Sequence, residues 1–369
     1  MGEMTIRDIA KRCGVGIGTV SRAINNHPDI NPDTKRMVMD VIRETGFVPN
    51  NSARNLKRTD ARCIAVLVKG ITNPFFSSAV KVIEKEVQKK KYTMVMQHVE
   101  SYENELEAAL ELVKEKRLRG IIFLGGSYHH DKEQLSMLKV PFVFCTIGTA
   151  EETEENRAYS NIAVDDRKES MKIVDHLLKM GHRRIAIITE GAKGESVGQL
   201  RLQGYRDAHE ARGITVDETL VYEVREKDDP YTMKNGYRMA KEILRSKTRF
   251  TAVFAIADHL AVGVCRALYE AGLKVPEDVS VAGFDGLAIG EYYTPQLTTI
   301  SQPVERMAKE TVQLLLNVIS GKAAHQQIIF PGELILREST AKPPDGDVVF
   351  EGGHQEKKAD PMNGLPLKY

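Results

Sequence analysis

Arg22 is the residue of this chain best suited to reading a base edge. It stands in VGIGTVSRAIN, residues 15–25. Val20, Ala23 and Ile24 recur at helical spacing and mark one apolar side. Ile17, Gly18, Ser21 and Arg22 then share the outer side. An arginine so placed donates two parallel hydrogen bonds to O6 and N7 of guanine. Ile17 suits a thymine methyl. Thr19, Ser21, Asn25 and Thr34 suit phosphate oxygens, which position a protein without specifying sequence, and Thr5 joins them as a candidate contact. The competing reading is an Arg22 that is simply solvated. The glycines raise another: a dinucleotide loop needs G-x-G-x-x-G straight after a strand. Gly14, Gly16 and Gly18 put the third glycine out of register, and a helix precedes them.

A second group of residues suits a small polar ligand. Asn73, Phe75 and Phe76, in NPFF, follow the apolar run CIAVLV (63–68) and so lie at the carboxyl end of a strand. Ligands of layered α/β proteins bind at such ends. Aromatic rings there stack on a ring or sugar face, or else fill the core. Arg201, in QLRLQGY, starts a helix after another apolar run. Asp285 ends SVAGFD (280–285). An Arg and an Asp facing one cleft bind vicinal hydroxyls through charge-assisted bonds; the alternative is a mutual structural ion pair.

These residues need elements to hold them. Thr5 and Asp8 form a capping box ahead of the stripe Ile6, Ile9, Ala10 and Cys13, and Gly14 ends that helix. Residues 17–25 make a second helix. Asn31 caps a third with Pro32 at its first position, carrying Val38, Val41 and Ile42, with Gly46 at its end. Helix, glycine turn, helix is a helix-turn-helix signature. FVPN (47–50) breaks the third helix, and a basic linker runs to residue 62. Beyond it, YTMVMQ (92–97), GIIFL (120–124), PFVFC (141–145), RIAIIT (184–189) and TAVFAIA (251–257) join the two runs above as strands. Nearly continuous apolar runs of this kind read as buried parallel strands. Helices fit between them, and a last one spans 303–319. The expected fold class is an all-α head plus an α/β core of two doubly wound parallel-sheet lobes. The expected domains are a DNA-binding head at 1–48, a linker at 49–62, a two-lobed core at 63–340 and a flexible tail at 341–369.

Composition agrees. The 369 residues, 42% hydrophobic and 28% charged, suit a soluble protein of two or three domains. Residues 1–62 hold eleven Lys and Arg against seven Asp and Glu, an excess of four cations. The whole chain is only +1, so the body is net −3, and a basic head on an acidic body suits a polyanion partner. Cysteines at 13, 63, 145 and 265 form no CxxC and read as reduced. His129 and His130 lack a third ligand at metal spacing, and neither a metal nor a cofactor is expected. Asp165-Asp166 opens a helix. No apolar leader or membrane-length segment appears, so a cytoplasmic protein is expected.

TIRDIAKRCGVGIGTVSRAIN and FVPNNSARNL resemble the head and hinge of the LacI/GalR family of bacterial repressors. GHRRIAIIT, RLQGYRDA and VPEDVSVAGFDGLAIGEYYTPQLTTI resemble its core, over residues 4 to about 340. The resemblance implies a core like periplasmic sugar-binding proteins and a homodimer on a near-palindromic double-stranded operator. It implies a hinge helix at Asn50 and Ala53, with Leu56 wedged in the minor groove; read bottom-up, Leu56 packs on the core. It places Arg201, Asp285, Phe76, Tyr231 and Asp258 at effector positions. The chain departs from the family at Gly16, Gly18, CTIG (145–148) and Ala257-Asp258. Those departures leave a sugar, a sugar phosphate or a nucleoside-like effector open. Tetrameric relatives carry a C-terminal leucine heptad; none is present here, so a dimer is expected. Two rivals are a sugar-binding receptor without DNA function and an enzyme. The basic head opposes the first, and the lack of a catalytic constellation opposes the second.

Overall fold

Capping chemistry delimits the first helices, α1 (Ile6–Cys13), α2 (Ile17–Ile24) and α3 (Pro32–Thr45). The Thr5 amide and hydroxyl both donate to Asp8 Oδ2, at 2.9 and 2.6 Å. Gly14 closes α1 at φ 62, a left-handed conformation that costs an L side chain roughly 1–2 kcal/mol. Asn31 Oδ1 accepts from the amides of Asp33 (2.9 Å) and Thr34 (3.2 Å). Ile9, Ala10, Val20, Ala23 and Val38 are buried together where the three helices meet. In this computed structural model the described residues are 4–24, 26–45, 47, 62–127, 130, 132–147, 159–191, 196–224 and 230–344. The chain divides into two compact units, Met1–Ala61 and Arg62–Tyr369.

The larger unit begins as strand–helix alternation. Its first elements are β1 (Cys63–Lys69), α4 (Pro74–Lys89), β2 (Thr93–Val99), α5 (Glu105–Glu115), β3 (Gly120–Leu124), α6 (Lys132–Met137), β4 (Phe142–Cys145) and β5 (Ser160–Val164). The second round comprises α7 (Asp166–Met180), β6 (Ile185–Glu190), α8 (Val197–Glu210), β7 (Val221–Val224), α9 (Met233–Arg245), β8 (Ala252–Ala255), α10 (Asp258–Glu270), β9 (Ser280–Ala282) and α11 (Ile289–Tyr292). Then come β10 (Thr299–Ser301), α12 (Val304–Ile319), β11 (Gln327–Phe330) and β12 (Glu333–Ile335). One sheet has the order β11-β5-β4-β3-β1-β2 and the other β7-β6-β8-β9, each parallel throughout. An antiparallel pair, β10 with β12, completes the topology.

β1 shows why its run is apolar without a break. Ile64, Val66 and Val68 pack into one core and Ala65 and Leu67 into the other, so both faces are covered. Burying each such side chain contributes about 1.5–3 kcal/mol. β2 departs from the expectation. It lies at the sheet edge, with Thr93, Met96 and His98 exposed, and is not a buried strand. Met94 packs against one core and Val99 lies in the other, but the strand has a single neighbour, β1. SVAGFD is strand only as far as Ala282, because Asp285 turns the chain at φ 117.

Two rounds of alternation do not make two consecutive lobes. The chain leaves the first sheet after β5, since α7 packs on α8. It returns after β10, where α12 packs on α4 and on β3, β4 and β5. It crosses again between β11, paired with β5, and β12, paired with β10. The expected tail also starts late. Ala341 accepts from Ser280 Oγ at 3.2 Å and contacts His182 Nε2 at 2.9 Å. Residues 345–369 lie outside the described residues. All four cysteines are free, and burial pushes the Cys145 and Cys265 thiols up to about 12.

Asn31→Ala removes the acceptor for two first-turn amides of α3, a loss of about 1 kcal/mol. Hydrogen exchange of the full chain is expected to quicken at Asp33 and Thr34 while the α10 amides keep their protection.

Candidate effector cavity and nucleic-acid interface

Strand ends of both sheets border one cavity of about 240 Å³. Lys69 ends β1, Thr146 follows β4 and Glu190 ends β6. Asn73 is the N-cap of α4, its Oδ1 accepting from the Phe75 amide at 3.1 Å. Phe75 is buried and Phe76 half-buried, edge to face with centroids 5.6 Å apart. Arg201, Tyr231 and Asp285 also line the cavity, as does Gln302. The structure therefore brings together Asn73, Phe75, Phe76, Arg201, Tyr231 and Asp285.

Arg201 is the most constrained of these. Its Nε donates to Asp166 Oδ1 at 2.8 Å and its Nη1 to the Ile256 carbonyl at 2.6 Å. Its guanidinium lies 3.7 Å over the Phe284 ring. Asp285 Oδ1 stands 3.6 Å from Nη1 and accepts from Gln302 Nε2 at 2.9 Å. The ion pair weighed for Arg201 thus exists, but its close partner is Asp166, the first residue of α7. Asp285 Oδ2 is buried without a donor. Burial pushes the Asp166 and Asp285 carboxyls up to about 6, against the pull of Arg201.

Asp258 requires a correction. It does not line the cavity and is fully buried behind it. Oδ1 accepts from the Thr299 hydroxyl and Oδ2 from the Leu287 amide, both at 2.6 Å. It therefore ties the start of α10 to the turn after Asp285. Burial pushes its carboxyl up to about 8, and the Asp285 charge adds to the shift. At CTIG, Thr146 does face the cavity, but its Oγ1 accepts from the Gly125 amide at 3.2 Å.

Lys69, Glu190, Gln302 and the Arg201 partner Asp166 escaped the sequence reading. Glu190 carries the same signal as Asp285, an acidic residue at the carboxyl end of an apolar run. Lys69 likewise follows such a run, whereas Gln302 has no local signature. Tyr231 donates to Glu190 Oε1 at 2.6 Å, and the Gly198 amide donates to the same atom at 2.9 Å. Lys69 Nζ is held by Glu105 Oε2 at 2.9 Å and by the Glu103 carbonyl at 2.7 Å. Among the described residues no group of His, Cys, Asp or Glu is placed to hold a metal ion, and no helix is long and apolar enough to cross a membrane.

On the head, Ile17, Gly18 and Arg22 are exposed while Val20 and Ala23 are buried. Among the described residues no side-chain partner holds the Arg22 guanidinium. Thr19, Ser21 and Thr34 are half-buried. Thr5 is exposed and bonded to Asp8. Asn25, Asn50, Ala53 and Leu56 lie outside the described residues, as does the hinge expected around the last three.

Residues 5–50 match the bacterial regulatory proteins of the lacI family, and residues 174–340 match a periplasmic binding protein-like domain. Over 338 residues the chain is 35% identical to the HTH-type transcriptional regulator MalR of Clostridium butyricum, covering 91% of this chain and 99% of that one. The chain belongs to the LacI family. Among solved structures, the transcriptional regulator CelR in complex with cellobiose aligns at a TM-score of 0.65 and 30% identity, over 91% of this chain and 99% of that one. The Lac repressor bound to ONPG in its repressed state aligns at 0.75 and 25%, over 92% and 100%. As a LacI-family member the chain is a ligand-responsive, DNA-binding transcriptional regulator and not an enzyme.

Thr299→Val deletes one donor to the buried Asp258 carboxylate. The loss is expected at about 1–3 kcal/mol of unfolding free energy. Urea denaturation of the full chain measures it.

Proposed function

We propose that the chain is a repressor that binds a near-palindromic operator as a homodimer and is switched by a sugar-type effector in the cavity. The observation that carries the effector reading is Asp285 Oδ2, a buried acceptor without a donor in a cavity wall that also holds aromatic Phe76. A sugar hydroxyl supplies the missing donor, and a ring face suits the phenyl face. Names of relatives support the same class: the CelR structure holds cellobiose, and a LacI family regulator holds ribose. On the head, Arg22 reads guanine and Ile17 a thymine methyl, while Thr5, Thr19, Ser21, Asn25 and Thr34 hold phosphates. Asn50, Ala53 and Leu56 form the hinge contacts by family resemblance. Two heads on one symmetric dimer match half-sites one helical turn apart. A regulator of this kind works in the cytoplasm.

Three chain crossings join the two sheets, so a ligand held by both biases their relative angle. The effect on operator affinity equals the difference in effector affinity for the two states, typically about 1–3 kcal/mol. A thermal-shift screen of metabolites, followed by operator titration with each hit, tests the proposal. Hits that leave operator affinity unchanged would remove the regulatory link.

Arg22→Ala is expected to weaken operator binding by about 1–3 kcal/mol and to relax selectivity at one base pair. Selection from a random duplex library at fixed salt reads both effects; an unchanged profile excludes the role. Asp285→Asn is expected to lose the effector response while operator affinity without effector stays near normal. In the unaltered protein, effector affinity should fall as pH drops through about 6, because protonated Asp285 no longer accepts as a carboxylate. Calorimetry from pH 5 to 8 follows that loss, and a flat profile counts against Asp285 as the contact.

A further inference from the structure

Glu190 is a charged group in the cavity wall that the reading above leaves without work. Its Oε1 is fixed by the Tyr231 hydroxyl at 2.6 Å and the Gly198 amide at 2.9 Å. A Cβ at Gly198 would stand 2.3 Å from that oxygen, so α8 starts with a glycine pressed against the carboxylate. Among the described residues Oε2 has no donor, and no Lys, Arg or His pairs with Glu190. The Glu190 carboxyl group is thus aimed, and among the described residues it has no basic partner.

The cations nearby are already matched. Lys69 is held by Glu105, whose own carboxyl is further fixed by the Ser127 amide at 2.8 Å. Arg201 is held by Asp166 and the Ile256 carbonyl. Among the described residues, Glu105, Asp166, Glu190 and Asp285 stand against Lys69 and Arg201, an excess of acidic side chains. A phosphate ester brought here meets like charge at low dielectric, which is strongly unfavourable. A neutral polyol satisfies Asp285 but leaves the Glu190 carboxyl group without a basic partner. A protonated amine supplies hydrogen bonds and the opposite charge together.

We propose that the effector is a polyhydroxylated compound bearing a protonated amine, an amino sugar by chemical class, with the amine on Glu190 and hydroxyls on Asp285. This rests on the sugar-type reading above and removes sugar phosphates from it. It makes Glu190 and Tyr231 specificity-determining residues.

The test is calorimetry at pH 7 on the full chain with matched probes. Glucose, galactose, maltose and cellobiose are each compared with their amino counterparts, the N-acetyl forms of those, and the phosphate esters. At least one amino member is expected to bind tenfold or more tighter than its neutral parent and than its uncharged N-acetyl form, with no binding by the phosphates. Glu190→Gln is expected to erase that tenfold preference. The N-acetyl comparison on the unaltered protein gives the answer even if the variant does not fold. The proposal is overturned if no amino member binds, if neutral parents bind as tightly, or if the preference survives Glu190→Gln. A neutral sugar that binds as tightly as its amino counterpart and shifts operator affinity would sink the amine and keep the regulator. An amine that binds without altering operator affinity would do the reverse.

Discussion

The cavity depends on one buried cation. Arg201 is almost fully enclosed, and a guanidinium in that position must have its donors met or it destabilises the fold by several kcal/mol. Asp166 from the start of α7, the Ile256 carbonyl after β8 and Asp285 after β9 meet them. Three separate segments of the second lobe are thereby fixed around one side chain. Phe284 closes the remaining face of the guanidinium. Asp285 is held in a left-handed backbone conformation at φ 117, unusual for a residue with a side chain. Surroundings that over-determine a position tolerate such strain, and the Arg201 network is what over-determines this one.

Because Arg201 is satisfied from below, its reach towards a ligand is limited. From this network it is Asp285 that lines the cavity beside Arg201, and Glu190 lines it as well. The polar lining of the cavity therefore offers acceptors more than free donors. The first lobe contributes aromatic surface and the Lys69–Glu105 pair. An isolated bridge between Ser127 and Ser196 joins the loop after β3 to the start of α8, so backbone from both lobes meets beside the cavity.

Much of this was legible in the residues. Helix ends in the head follow from Thr5, Gly14 and Asn31, whose side chains or conformations act within a few positions. Strands β1, β3, β4, β6 and β8 declared themselves because both their faces are covered. β2 misled because an edge strand with a single neighbour still carries Met94, Val95 and Met96. β5, β7 and β10 to β12 lack an unbroken apolar run, and their pairing is decided by distant partners. At the site, Arg201, read as starting a helix, is instead the fifth residue of α8, whereas Asn73, Phe76 and Asp285 were found because each sits at a strand or helix terminus. Asp258 sits at one too, yet its carboxylate turns inward to Thr299 and Leu287. Direction of a side chain at a terminus is a tertiary property, which also hid the Arg201–Asp166 pairing across thirty-five positions.

The interlaced path of the backbone has a practical corollary for anyone dissecting this protein. The first lobe draws α12 and β11 from beyond residue 300, after the whole second lobe has been traversed. Neither half is a contiguous piece of polypeptide. A gene fragment stopping before α12 would leave the first sheet lacking a covering helix and an outer strand, and one starting at α7 would carry both without their seat. The two halves are an obligate pair, assembled only once nearly all of the chain is present.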